Sequence, residues 1–288
     1  MTEAIVKLID ILVRTTFAAL VFTLASDITI KGILSEIKQP LRLLRISLVS
    51  VVLVPAVTAV IFKFFNANIV VTVIALVAAG APGDSFSLFQ VVSKKAHIAL
   101  AATLMAWFCI LSPFTVPIWL ALVSKFFPLH LEASPLAIFL TVVPLTIFPL
   151  ALGVFLRELF PAVSDILKKI TGSFFKFSIL IVMVGGFVFA VKGLSHFTAQ
   201  SVMATCAAVT AALFMGYYCG LPDRKDRLTS ALMVSLGNFA LVILVVHISY
   251  PKANIISEAV VFVIIRWLVI MIWYFMMRQI RLKRDGTL

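Results

Sequence analysis

Long apolar segments recur along the entire chain, and this recurrence restricts the possible folds more than any other feature. Each segment approaches the length of about 20 residues that a helix needs to cross the hydrocarbon core of a bilayer. Of the 288 residues, 62% are hydrophobic and only 12% are charged, a composition outside the range of soluble domains. Runs such as 48–62 and 179–191 stay apolar without the alternation of a membrane β-barrel. We therefore predict an all-α integral membrane protein.

Nine transmembrane helices are expected, and together they account for the whole sequence. The expected spans lie near residues 5–26, 42–65, 68–92, 96–123, 134–157, 171–192, 197–220, 226–248 and 254–280. The N-terminus carries the charged residues Glu3, Asp10 and Arg14 around this first apolar stretch and shows no small-residue cleavage site. We therefore interpret it as a retained helix and not as a secretory signal.

Basic residues gather in the loops on one expected side of the membrane. If the N-terminus is outside, most of the 24 lysines and arginines fall in inner loops, among them Arg42, Arg45 and Lys225. Because cytoplasmic loops are enriched in lysine and arginine, we expect the N-terminus outside and the C-terminus in the cytoplasm. The net charge of +12 is spread over short loops, which suits anionic lipid and does not indicate nucleic-acid binding. The expected location is the bacterial inner (plasma) membrane.

Two polar stretches interrupt the third and eighth spans. Residues 81–87 read Ala-Pro-Gly-Asp-Ser-Phe-Ser, and residues 235–239 read Ser-Leu-Gly-Asn-Phe. Main chain can leave helical hydrogen bonding at membrane depth only where it is buried in protein or lines a wet cavity. Two such breaks in corresponding positions are typical of the midplane binding site of a secondary transporter. We therefore predict two crossed broken helices, the first of them broken at Pro82 and Gly83.

The positions of the breaks also indicate an internal repeat. Spans two to four and seven to nine each carry a break in the middle member, and the two triplets run in opposite directions. The arrangement is that of five plus five helices with the first helix missing. We expect a single transmembrane transporter domain over 1–288, with a core of about 42–123 and 197–280 rocking against a panel of about 1–41 and 134–192.

Polar groups near the breaks form the expected substrate or ion site. Its residues are Asp84, Ser85, Ser87, Gln90, Ser235, Gly237, Asn238 and Arg266. An ionisable group within the membrane is costly and usually functional. Asp84 can bind a cation, carry a coupling proton, or only cap the following half-helix. Arg266, about midway along the last span, requires a partner, either Asp84 or an anionic substrate. The serines and Asn238 can line a pocket or bond only to neighbouring helices.

No catalytic set is visible in the sequence. A nucleophile with an adjacent base, a glycine-rich phosphate loop and paired carboxylates are all lacking, and the four histidines and three cysteines show no metal-binding spacing. We therefore expect no enzyme, no bound metal and no cofactor, apart from Na+ or H+ as a coupling ion.

Several motifs follow one another in an order that resembles a known family. Residues 24–29 with Lys38-Gln39-Pro40 are similar to a Met-Gly-Leu-x-Leu segment and its basic-Pro loop. Residues 81–87 resemble a Pro-Gly-Gly-Thr-x-Ser-Asn break, and Ala99 to Thr103 with Ser112-Pro113 and Pro117 resemble the next helix. Leu221-Pro222 and Gly237-Asn238 resemble the approach to the second break. Over nearly its whole length the chain resembles the bile acid:sodium symporter family. The resemblance implies alternating-access transport of a small organic anion with a carboxylate or sulfonate group.

The sodium ligands of that family are depleted in this chain. In the family a Glu, a Gly and a Gln of the second break help to coordinate sodium, but residues 233–238 read Met-Val-Ser-Leu-Gly-Asn. Leu88 stands where the first break has its Asn, and Asp84 replaces the second Gly of the motif. Without a carboxylate in the second break, a bound sodium ion would lose its main charge compensation. Coupling to sodium, coupling to protons and uncoupled transport all stay open.

Two other functions are compatible with the same features. One is a sodium-independent anion efflux carrier, which would share the inverted repeat. The other is a non-transporting membrane sensor or scaffold with its breaks packed shut. The sequence does not choose the substrate, the direction of transport or the oligomeric state.

Overall fold

Helices make up nearly all of the described part of the protein in the computed structural model. The structure describes residues 3–27, 29–31, 34, 38–83, 96–127, 134–193, 197–235, 237–249 and 256–284. The helices are α1 (Glu3–Ala25), α2 (Pro40–Phe64), α3 (Ile69–Gly80), α4 (Ile98–Val123), α5 (Pro135–Leu159), α6 (Pro161–Gly193), α7 (Ala199–Cys219), α8 (Arg224–Ser235), α9 (Phe239–Ser249) and α10 (Ile256–Arg284). No β-strand occurs within these ranges, and the predicted all-α fold is confirmed.

Within the described part of the chain, five helices are long and apolar enough to cross a bilayer. They are Pro40–Phe64, Leu100–Val123, Leu136–Leu159, Ala199–Cys219 and Glu258–Met277, and shorter apolar helices occur at Ile11–Ala25 and Ile69–Gly80. Large apolar side chains such as Val60 and Phe148 point outward, where they suit contact with lipid tails. The chain is therefore an integral membrane protein, whereas the count of nine spans stays a prediction.

A π-helical stretch, Val49–Leu53, interrupts the regular geometry of α2. It ends two residues before Pro55, which has no N–H to donate to the carbonyl of Val51 four residues earlier. The indole Nε1 of Trp119 in α4 donates to this carbonyl at 2.7 Å. A side chain from a neighbouring helix thus satisfies a main-chain group that proline leaves without its usual donor.

The helices form two packed groups. α1 packs along α5 and α6, which also touch each other. α7 packs against α2, α8 and α10, while α3 contacts α2, α4, α9 and α10. The groups meet where α6 lies against α10, α5 against α4, and α1 against α9.

Glycines allow the closest helix contacts. A Cβ at Gly216 of α7 would lie 2.8 Å from the Cα of Ala231 in α8. A Cβ at Gly153 of α5 would lie 2.5 Å from the Cβ of Ala25 in α1. Because lipid provides no hydrophobic drive for helix association, such close main-chain packing is a principal source of stability within a membrane.

A buried carboxylate joins the beginnings of three helices. Asp226, in the first turn of α8, is 6% exposed. Its Oδ2 accepts from Nη1 of Arg42 in the first turn of α2 at 2.6 Å. Its Oδ1 lies 2.6 Å from Nδ1 of His97, which immediately precedes α4. The main-chain N–H of His97 also donates to the hydroxyl of Thr229 at 2.8 Å. A charged carboxylate therefore holds α2, α4 and α8 together at one end.

Candidate functional site

The main chain leaves helical geometry at both sequence interruptions, and the two stretches meet. α3 ends at Gly80, and Pro82 forms an antiparallel bridge with Gly237, which lies between α8 and α9. The N–H of Asn238 donates to the carbonyl of Ala81 at 2.7 Å. We call residues 80–83 together with Ser235, Gly237 and Asn238 the crossing. The second interruption thereby donates a main-chain hydrogen bond to the first within a buried part of the protein.

A second tie to the crossing comes from α4. The hydroxyl of Thr115 donates to the carbonyl of Gly80 at 2.6 Å, and Thr115 is buried. Gly80 is the last residue of α3, and carbonyls in the last turn of a helix have no partner within the helix. At Gly83 the φ angle is +70°, a conformation that glycine adopts without strain. The local sequence therefore ends α3, and the hydroxyl of Thr115 provides a hydrogen-bond donor for the carbonyl of its last residue.

The second interruption begins a new helix at once. Asn238 precedes α9, and its side-chain Oδ1 accepts from the N–H of Leu241 at 3.0 Å. This is the geometry of an N-cap, so the amide oxygen of Asn238 stabilises the helix start. Ser235, the last residue of α8, is buried, and its hydroxyl lies 3.4 Å from the carbonyl of Leu232. The N-terminal end of α9 adds a positive partial charge to the crossing.

Arg266 of α10 places its guanidinium beside Gly237. A Cβ built on Gly237 would lie 2.7 Å from Nη1 of Arg266 and 2.4 Å from the carbonyl oxygen of Ala78. Arg266 is only 7% exposed, and its Cζ lies 6.0 Å from the centre of the Phe262 ring. Only glycine fits at position 237, between a main-chain oxygen of α3 and a buried cation.

A small cavity opens next to this guanidinium. Its volume is about 20 Å³, which holds roughly one or two water molecules. The lining residues come from α2, α3, α7, α8 and α10; the polar ones are Thr58, Thr205, Ser235 and Arg266. The cavity can therefore hydrate a buried charge, but it is too small for an organic molecule.

The structure brings together only part of the expected site. Pro82, Gly83, Ser235, Gly237, Asn238 and Arg266 lie in or beside the crossing. Asp84, Ser85, Ser87 and Gln90 lie outside the described residues. The suggested ion pair between Asp84 and Arg266 therefore stays a prediction.

Sequence reasoning missed several buried polar residues. Thr58 and Thr205 line the cavity, and Glu258 of α10 is 4% exposed within an apolar helix. Threonines are common in membrane helices, so no pattern singled out these two. A carboxylate in the last span was a usable signal, since such groups are rare in apolar helices. Among the described residues, no group of three histidine, cysteine, aspartate or glutamate side chains is arranged to hold a metal ion.

Sequence comparison agrees with this architecture. The model of the sodium bile acid symporter family matches residues 16–199. The match includes the second part of α1 and all of α2 to α6 with the first interruption, whereas the second interruption and Arg266 lie beyond it. Comparison with curated proteins gave no significant match. Members of the matched family are membrane transporters and not enzymes. Since the match covers more than half of the chain, this protein belongs to the sodium bile acid symporter family.

Proposed function

We propose that the protein carries a small organic anion across the membrane by alternating access around the crossing. The single observation that supports this most strongly is the meeting of two non-helical stretches at the Pro82–Gly237 bridge. Two half-helices that end against each other expose helix termini, and such termini bind charged solutes in secondary transporters.

The charge at the crossing suits an anion as the transported solute. The N-terminal end of α9 carries a positive partial charge, and the guanidinium of Arg266 lies close by. Substrate selectivity in the proposed site would come from Ser85, Ser87 and Gln90 together with Ser235 and Asn238. A carboxylate or sulfonate on an apolar body fits this polarity and the apolar surroundings.

The packing of the helices supports two moving parts. α1, α5 and α6 contact one another and correspond to the proposed panel, about 1–41 and 134–192. The helices on both sides of the crossing correspond to the proposed core, about 42–123 and 197–280. In this proposal the substrate passes along the seam between them, where α5 faces α4 and α1 faces α9.

The finer topology is part of the same proposal. Nine spans in two inverted copies, five plus five with the first helix missing, would place both interruptions at the middle of the bilayer. The N-terminus would lie outside and the C-terminus in the cytoplasm of a bacterial inner membrane.

Transport in proteoliposomes tests the function directly. Purified protein is reconstituted and given a panel of labelled monocarboxylates, dicarboxylates and sulfonates in the presence of sodium, of a proton gradient, and of neither. We expect saturable flux of at least one anion, with competition by its close analogues. Empty liposomes provide the control. If no anion shows saturable flux under any of the three conditions, the carrier function is wrong.

A further inference from the structure

The C-terminal ends of two half-helices converge at the crossing, and a cation is already present there. α3 ends at Gly80 and α8 ends at Ser235, and free carbonyls at helix ends carry negative partial charge. In secondary transporters such carbonyls coordinate the coupling ion. Here Nη1 of Arg266 and the carbonyl oxygen of Ala78 lie within 3 Å of the same point, the missing Cβ of Gly237.

The described residues do not form a sodium site at this place. Sodium requires several oxygen ligands and, when buried, a nearby negative charge. The cavity beside the crossing offers three hydroxyls, from Thr58, Thr205 and Ser235, and no carboxylate among its lining residues. A guanidinium within 3 Å of the Gly237 position would also repel a second cation.

The position of Arg266 argues for a permanent charge within the core and against direct contact with substrate. Its cavity measures about 20 Å³, and every lining residue comes from the helices that flank the crossing. None of the described lining residues comes from α1, α5 or α6, the helices of the proposed panel. A cavity of this volume does not accommodate an organic anion beside the guanidinium.

The geometry points to Arg266 as a built-in replacement for the coupling cation of the family. This inference rests on the proposed function, anion transport around the crossing. The guanidinium neutralises the helix ends at the crossing in every step of the cycle, so that no sodium ion needs to bind. The carrier then moves its anion without sodium, and each monovalent anion transports one negative charge.

The first experiment uses the wild-type protein in proteoliposomes. Flux of a transported monocarboxylate is measured in sodium chloride and in choline chloride, each at fixed membrane potentials set with potassium and valinomycin. We expect equal flux in the two salts within about twofold, and faster uptake when the interior is positive. Flux that falls tenfold or more in choline would overturn the inference and leave the carrier function intact. Absence of saturable flux in both salts would overturn the carrier function itself.

A binding measurement without transport provides a second criterion. Sodium that binds only to the folded protein must raise the unfolding temperature in detergent. We expect the same Tm in sodium chloride and choline chloride at equal ionic strength. A sodium-specific rise of about 2 °C or more would show a sodium site and contradict the inference.

Substitution with chemical rescue tests the guanidinium itself. Arg266→Ala should lower flux at least tenfold, Arg266→Lys should retain most of it, and millimolar guanidinium should restore flux to Arg266→Ala where sodium does not. Lys176→Gln is the control, because Lys176 is an exposed cation within the apolar helix α6 and lies outside the crossing. Normal flux through Arg266→Ala, or rescue by sodium as effective as that by guanidinium, would contradict the role. If Arg266→Ala does not fold, the two wild-type measurements still decide the question.

Discussion

At the scale of single residues, Gly237 is the described glycine at which an added Cβ would approach another atom most closely. The predicted change is Gly237→Ala, whose methyl group would meet Ala78 O at 2.4 Å and Arg266 Nη1 at 2.7 Å. We expect a loss of about 1–3 kcal/mol of unfolding free energy from overpacking, and severe loss of transport. Denaturant unfolding in detergent micelles, together with anion flux, measures both effects.

Gly80→Ala is the matched control for this substitution. Its added Cβ would make only ordinary contacts of 3.5 Å with Val116 in α4, and Gly80 is the last residue of a helix. We expect near wild-type stability and flux. Equal tolerance of alanine at both positions would show that the crossing is looser than the structure indicates.

The second prediction for a single residue concerns Asp226. Asp226→Asn removes the carboxylate charge that faces Arg42 and His97, while the side chain of Asp226 is only 9% exposed. Removing one member of a buried ion pair leaves a charge without compensation, and we expect a cost on the order of 3 kcal/mol. The measurement is again denaturant unfolding in micelles.

Asp165→Asn serves as the comparison for Asp226→Asn. Asp165 pairs with Arg157 at 2.7 Å, but its side chain is 58% exposed. Because water screens such a pair, the expected change is below about 1 kcal/mol. Similar losses of unfolding free energy from both substitutions would indicate that water also screens the contacts of Asp226 with Arg42 and His97.

Arg266 and Asp226 show how far the sequence reaches at this scale. The burial of Arg266 could be predicted, because a charged residue within an apolar span almost always faces the interior of the helix bundle. The contacts of Asp226 with Arg42 and His97 could not be predicted, since these residues lie 184 and 129 residues from Asp226 along the chain. In the sequence, Arg42 is one of the basic residues of the expected inner loops, and His97 shows no metal-binding spacing with the other histidines.

At the scale of helices, the start of α8 gives a prediction with a defined pH dependence. Asp223 caps this helix, and its Oδ1 accepts from the N–H groups of Lys225 and Asp226. These hydrogen bonds, that from Asp226 most of all, lower the pKa of Asp223 below its ordinary value. The ionised form is therefore favoured in the folded protein, and its contribution to stability disappears as acid protonates it.

The substitution Asp223→Ala tests this cap. We expect the variant to unfold at a lower temperature than wild type at neutral pH, with the difference shrinking once the pH falls below about 4. Asp223→Asn keeps a neutral oxygen acceptor and should show a small deficit without this pH dependence. If the unfolding temperature of Asp223→Ala stays equally far below that of wild type in acid, the charge of the Asp223 carboxylate is not the source of the stabilisation.

The sequence predicts where the helices are interrupted better than it predicts which groups the interrupted main chain then contacts. Proline and glycine with polar neighbours marked residues 81–87 and 235–239, and helices end at Gly80 and Ser235. The antiparallel bridge is formed by main-chain groups, whose pairing leaves no trace in side-chain chemistry. The π-helical stretch of α2 was also missed, because it depends on Trp119 as well as on Pro55.

At the scale of the whole molecule, the distribution of basic residues predicts the orientation in the membrane. Lys225→Cys should lie on the cytoplasmic side and Lys125→Cys on the outside. Both lysines are exposed, so a cysteine at either position is accessible to reagents. A membrane-impermeant maleimide should label Lys125→Cys in intact cells and Lys225→Cys only after permeabilisation. The opposite pattern would invert the proposed orientation without altering the fold.

The native cysteines permit a simple control for this labelling. Cys109 and Cys219 are buried, and Cys206 lies within the apolar helix α7. Wild-type protein should therefore take up little of the reagent under either condition. Strong labelling of wild type would require a cysteine-free background before orientation can be assigned.

The hydrogen bond from Asn238 to Ala81 has a mechanical consequence for the transport cycle. It links main chain from one half of the sequence to main chain from the other. The hydrogen bond from Thr115 to the carbonyl of Gly80 also links the crossing to α4. Breaking these links in every cycle would leave buried main-chain polar groups without hydrogen-bond partners. In the proposed alternating-access cycle we therefore expect the crossing to move as one rigid unit, with access to it changing through sliding of the outer helices.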